Sequence, residues 1–243
     1  MSRTTGYEPL NVPKPFGPDI WIVDGPHIRF YGLPFSTRMT LVRLPSGGLW
    51  VHSPIKPEER LLARVEELGP VAHLIAPNAI HYAYLGDWQA RFPEARAWVA
   101  PGVRARAIAH KVELGPAEEL SAGAGWEGVI DSYLVRGSKV LQEAVFFHAP
   151  SRTVVLTDFI ENFEPGKLPW LFGRLVRLLG MTTPDGRMPP DMYATFDKAE
   201  LRRSVEAILA WAPERAVLAH GAPYDARASA RIRRVFRKLL DAS

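Results

Sequence analysis

The chain has 243 residues, 47% of them apolar and 23% charged, an ordinary globular composition with length enough for a sizeable core. No stretch approaches the roughly 20 apolar residues of a membrane span, residues 1–19 lack the apolar run of a secretory signal, and cysteine is absent. Disulfides and thiolate chemistry are thereby excluded, and a reducing, cytoplasmic setting is expected.

Residues 1–19 carry Pro9, Pro13, Pro15 and Pro18 and read as an extended arm. Strand-like runs follow at IWIVDG, MTLVRL and GLWVHS, with PSGG as the hairpin turn between the last two. KPEERLLARVEEL places Leu61, Leu62, Val65 and Leu68 on one helical face and stops at Gly69-Pro70. VAHLIAP, AYLGDWQARF and ARAWVAP then alternate strand, helix, strand. In the second half WEGVIDSYLV reads as a strand, and EAVFFHAPSRTVVLTD as a strand pair turning at Pro150-Ser151. AELRRSVEAILAW reads as a helix, RAVLAHG as a late strand, and ARASARIRRVFRKLL as a terminal amphipathic helix.

The segment 161–196 breaks this rhythm and is read as an insertion into a domain spanning 20–243. KLPWLFGRLVRLLG within it is a leucine-rich, aromatic and basic helix. Its expected role is a lid or core cap, with peripheral membrane contact and homodimerisation as alternatives. The net charge of +4 invites an anionic small-molecule partner. Nucleic acid is disfavoured, because the basic C-terminal helix has no interleaved aromatic residues and reads as a docked helix with a solvated face.

Three apolar runs end on metal-type side chains: HLIAPNAIH at His81, RTVVLTD at Asp158 and RAVLAHG at His220. A strand that stops on such a residue presents it at a sheet edge, and two imidazoles with a carboxylate are a set that Zn or Fe accepts. Gly221 after His220 permits a tight turn. The other histidines, His27, His52, His73, His110 and His148, are read as hydrogen-bonded core or surface residues.

GLWVHSP, LIAPNAIH, RTVVLTD and VLAHG, in this order and spacing, resemble the metallo-β-lactamase fold superfamily, and specifically an uncharacterised branch with altered metal motifs. The resemblance covers about residues 20–225 and implies an α/β, four-layer αββα sandwich. It aligns His81 with the last histidine of the H-x-H-x-D-H motif, which leaves Ala76, Asn78 and Ile80 at the other ligand positions. It aligns Asp158 with the metal-bridging aspartate and His220 with the last histidine ligand. The family's second-half histidine falls near Gly137 or Ser138 and is missing.

The implied site is one divalent metal (Zn, or Fe or Mn) on His81, Asp158 and His220, with Asn78 and Glu143 as weaker additional ligands and Asp158 also orienting a water. The implied function is a mononuclear metal-dependent hydrolase acting on a small-molecule substrate. The alternative is a metal-free, non-catalytic member that binds a ligand or partner in the same cleft.

Overall fold

A computed structural model describes residues 6–30, 32–121, 123–138 and 140–242. Seven strands form one sheet in chain order: β1 (Lys14–Gly17), β2 (Ile20–Phe30), β3 (Leu33–Arg43), β4 (Leu49–His52), β5 (Val71–Ala76), β6 (Arg96–Val99) and β7 (Glu118–Glu119). The proline-bearing arm therefore supplies an edge strand, where missing N–H groups cost no ladder bonds. β1 to β4 pair antiparallel, as short connections allow. β4 to β7 pair parallel through crossovers holding α1 (Glu59–Glu66), α2 (Leu85–Arg91) and α3 (Val103–Ala109).

The second sheet holds β8 (Ile130–Val135), β9 (Glu143–His148), β10 (Thr153–Val155) and β11 (Arg215–Val217), in the order β11-β10-β9-β8. Both of its faces are covered, and the period-two alternation of β9 shows how. Ala144 and Phe146 join the core shared with the first sheet, where the Phe146 ring meets that of Trp50 edge-on at 4.9 Å. Val145 and Phe147 enter a second core, together with buried residues of α6 (Lys198–Ala210), α7 (Ala228–Val235) and α8 (Arg237–Leu240). Helices on sheet, sheet on sheet and helices again make the αββα sandwich.

Local chemistry sets the helix ends. Asp197 accepts a hydrogen bond from the Glu200 N–H at 2.9 Å and caps α6. The terminal amphipathic run is divided at Phe236 into α7 and α8, with Ile232, Phe236 and Leu239 buried. Its arginines are partly engaged: Arg234 forks onto Asp185 with two 2.8 Å bonds, and Arg231 donates to the Pro184 carbonyl. Residues 161–196 contain α4 (Trp170–Leu178) and α5 (Pro190–Thr195). Phe163, Leu168, Phe172, Val176 and Met181 form a third apolar cluster, which packs on Leu33 and Phe35 of β3. Among the described residues no helix is long and apolar enough to cross a membrane.

Candidate metal centre

β10 and β11 run parallel, with Val155 opposite Val217. Asp158 and His220 each follow three residues later, so strand register alone brings them to one end of the sheet. β5 of the first sheet ends at Ala76, and the loop after it bridges to β9 of the second sheet at Asn78 and Glu143, bringing His81 to Asp158. Asn78 organises that loop: its Oδ1 accepts from the N–H groups of Ile80 (2.8 Å) and His81 (2.9 Å). Its Nδ2 lies 2.9 Å from both Asp158 Oδ2 and Thr157 Oγ1, and 3.2 Å from Glu143 Oε2. Glu143, buried at the start of β9, accepts the N–H groups of Thr157 (2.8 Å) and Asp158 (2.9 Å).

The donor atoms of His81, Asp158 and His220 all lie within 4.8 Å of one another, and among the described residues they form the one such cluster able to hold an ion. Asn78 and Glu143 stand behind it, with polar atoms engaged by the loops that carry the three. Asn78→Ala is expected to strand two loop N–H groups, costing about 2–6 kcal/mol at about 1–3 per unsatisfied buried group, and to leave part of the Glu143 and Asp158 carboxylates unpaired as well. Urea unfolding measures this, and a loss under about 0.5 kcal/mol would show that the network relaxes freely.

The two imidazoles meet one oxygen. His81 Nε2 is 3.1 Å and His220 Nε2 3.2 Å from Asp158 Oδ1. On its other side His220 Nδ1 is 2.8 Å from the Ser36 carbonyl oxygen. A carbonyl only accepts, so Nδ1 carries the proton. In a neutral ring Nε2 is then a bare lone pair aimed at a carboxylate oxygen, and two acceptors at that distance repel unless a cation stands between them. His81 Nδ1 lies 2.8 Å from Ser53 Oγ, a hydroxyl that can accept and so leave Nε2 equally bare. Donors sharing one ion at about 2.0–2.2 Å stand about 3.0–3.5 Å apart for octahedral to tetrahedral angles. The observed separations, and the carbonyl behind His220, fit a metal-binding donor set.

Burial alone would raise the Asp158 pKa, yet the flanking imidazoles hold it well below the usual carboxylate range. Burial opposes charge on His81, and Asp158 outweighs it, raising the imidazole pKa. Burial and the neighbouring Asp158 raise Glu143.

Three participants carry no signal in the strand-end pattern. Ser53 follows β4 in the left-handed region at φ 53°. Arg38, buried in the middle of β3, donates from Nη1 to the carbonyls of Leu218 (2.5 Å) and Gly221 (2.8 Å), fixing the His220 loop. Its Nη2 sits 2.7 Å from buried Asp24, which Lys14 also meets at 2.5 Å. Glu161 lies three residues beyond Asp158, buried, with Oε2 lacking a hydrogen-bond partner. Burial, against the pull of His220 and with the push of Asp158, raises its pKa to about 8.

Gly221 answers a strict requirement. Its φ is +90°, and an added Cβ would stand 2.1 Å from the Asn162 carbonyl oxygen. Ser138, near where the resemblance puts the missing histidine, bonds Thr195 Oγ1 at 2.8 Å. A cavity of about 410 Å³ opens over the cluster, reaching Ile80, His81, Asp158, Glu161 and His220, with α4 forming one wall.

Comparison with known proteins agrees with this architecture. The DIM-1 metallo-β-lactamase superposes with a TM-score of 0.66 at 11% identity, covering 93% of this chain and 96% of that one. A metallo-β-lactamase from Pontibacter korlensis gives 0.65 at 10%, covering 95% and 99%. The FIM-1 metallo-β-lactamase from Pseudomonas aeruginosa, in a mono-zinc form, gives 0.63 at 12%, covering 97% and 100%. At such identities the likeness shows the fold. No curated protein matches the sequence. The model of one family, a domain of unknown function, matches residues 18–172. With well over half its length matched and the metallo-β-lactamase fold around it, the chain belongs to the family described as Domain of unknown function (DUF4336).

Proposed function

We propose that this protein is a hydrolase working with one divalent cation on His81, Asp158 and His220. The observation that carries the reading is His220 Nε2 at 3.2 Å from Asp158 Oδ1, with Nδ1 committed to the Ser36 carbonyl. A Zn, Fe or Mn ion held there supplies Lewis acidity, polarising an ester, amide or phosphoester oxygen and acidifying a water. The remaining work belongs to the chain. With the two imidazoles, the Asp158 carboxylate would hold such an ion and orient the water, while Asn78 steadies Oδ2. Ser53 and the Ser36 carbonyl fix the two rings. Glu161 lies buried three residues beyond Asp158 and lines the same cavity, with Oε2 free of a hydrogen-bond partner, which suits it to pass a proton to a leaving group. The mono-zinc form of the FIM-1 neighbour supports a one-ion arrangement on this fold.

The second reading is a metal-free binding protein, in which a proton replaces the ion and charged His81 pairs with Asp158. The direct 3.1 Å contact and the raised His81 pKa favour it. One measurement separates the two. Protein purified without chelator is expected to hold about one equivalent of divalent metal. Hydrolysis of chromogenic esters is expected to disappear with chelator and return with Zn, Mn or Fe. No metal near one equivalent, and no recovery on adding these ions, would leave the metal-free reading standing.

A further inference from the structure

α4 is apolar on two sides. Phe172, Leu175, Val176 and Leu179 line the cavity. An adjoining side turns Trp170, Leu171 and Leu178 outward at 69%, 72% and 84% exposure, so the nine residues of α4 contain most of the large apolar side chains exposed among the described residues. Apolar positions 170, 171 and 178 recur at helical spacing and, with Leu175 at the border of the cavity, make one continuous stripe. Burying that stripe in its own fold would satisfy it, yet the structure leaves it open beside the cavity mouth.

Charge indicates what covers it. Between Glu164 and Asp185 the chain has Lys167, Arg174 and Arg177 and no carboxylate. Arg174 and Arg177 are exposed beside the apolar stripe, and the Arg174 guanidinium lies 5.0 Å over the Trp170 ring. Leucine and tryptophan flanked by arginines on a surface helix are the chemistry of an interfacial segment: the rings and leucines enter the acyl boundary, and the arginines snorkel to phosphates. The cavity interior has the opposite character. Its walls are mainly apolar, with Ile28, Leu33, Phe35, Ile55, Phe172 and Met181 among them, and its one guanidinium, Arg38, is already bound to Asp24 and two carbonyls. Such a space accepts an uncharged hydrocarbon, whereas the exposed arginines that suit an anionic partner lie outside, on α4.

We propose that α4 docks this protein on an anionic lipid surface, and that the cavity behind it receives an acyl or alkyl chain drawn from that surface. The assignment of the chain as part of a substrate rests on the hydrolase reading; the docking and the chain binding do not. The test therefore uses the whole protein with chelator present. Co-sedimentation is measured with phosphatidylcholine vesicles with and without phosphatidylglycerol, and a pyrene-labelled uncharged acyl ester reports cavity binding.

Binding to the anionic vesicles is expected to fall at least tenfold in Leu171→Asp/Leu178→Asp and in Arg174→Glu/Arg177→Glu. These side chains are exposed, so the thermal midpoint should hold. Ala83→Trp, at an exposed position on the cavity wall, is expected to weaken ester binding while vesicle binding persists. Negligible binding of wild type to anionic vesicles, or equal binding by the aspartate variant, would overturn the docking. A dimer in solution that dissociates in that variant without any vesicle binding would do the same, marking the stripe as a contact between copies. Ester binding unchanged in Ala83→Trp would overturn the cavity assignment.

Discussion

Replacing His220 by Ala is expected to lower bound divalent metal from about one equivalent to a trace, with affinity falling more than the roughly 100-fold that loss of an outer-sphere partner can cost. The argument is geometric. His220 contributes a lone pair that its own Nδ1 bond to Ser36 has already oriented, so its removal costs a donor and opens a hole beside Asp158. Asp158→Asn keeps the shape but removes the charge that both imidazoles face, and is expected to lose metal as completely. Ser53→Ala leaves all three donors and only frees the His81 ring, so about a 10- to 100-fold weakening is expected. Titration with a competing chelator ranks these variants. Equal affinity in wild type and His220→Ala would place any bound metal elsewhere.

The second large effect is on stability. Arg38→Leu leaves Asp24, at 0% exposure, with Lys14 as its remaining cation. It also orphans the Leu218 and Gly221 carbonyls that flank His220. Breaking a buried pair by removing one partner costs about 3–5 kcal/mol, because the other charge is left uncompensated. The urea midpoint should drop accordingly, and metal affinity with it, since the His220 loop loses its brace. Asp24→Leu/Arg38→Leu removes the stranded charge and is expected to be milder than the single change. A single variant that loses under about 1 kcal/mol would show that water reaches Asp24 and screens it.

The ligand positions were legible because a β-favouring segment runs toward each of them, although β5, β10 and β11 stop at Ala76, Val155 and Val217, and the ligands stand on the loops three to five residues beyond. Parallel pairing of β10 with β11 then does the rest, since equal offsets from Val155 and Val217 deliver Asp158 and His220 together. What lay hidden depends on partners distant in sequence. Arg38 looks like one charge inside MTLVRL's approach, and its role appears only when β3 meets residues about 180 positions away. Glu161 falls where the insertion begins and looks like any loop acid; burial makes it chemically distinct.

β2 and β3, expected at IWIVDG and MTLVRL, were read short, and α3 was not read at all. β2 continues past Gly25-Pro26 to Phe30 because the register shift between Gly25 and Ile28 absorbs the break. α3, VRARAIA, shows little amphipathic pattern, for only Val103 and Ala107 are buried while Ile108 faces solvent.

Asn162 ties the base of the insertion to the His220 loop. Its N–H donates to the His220 carbonyl at 3.1 Å, its carbonyl accepts from Ala222 at 2.8 Å, and its Nδ2 donates back to the Ala222 carbonyl at 2.8 Å. Three bonds across one short gap act as a mechanical ground. The base of the segment that carries α4 is thereby held in register with the imidazole, and the close approach of Gly221 to the Asn162 carbonyl leaves no room for a side chain between them.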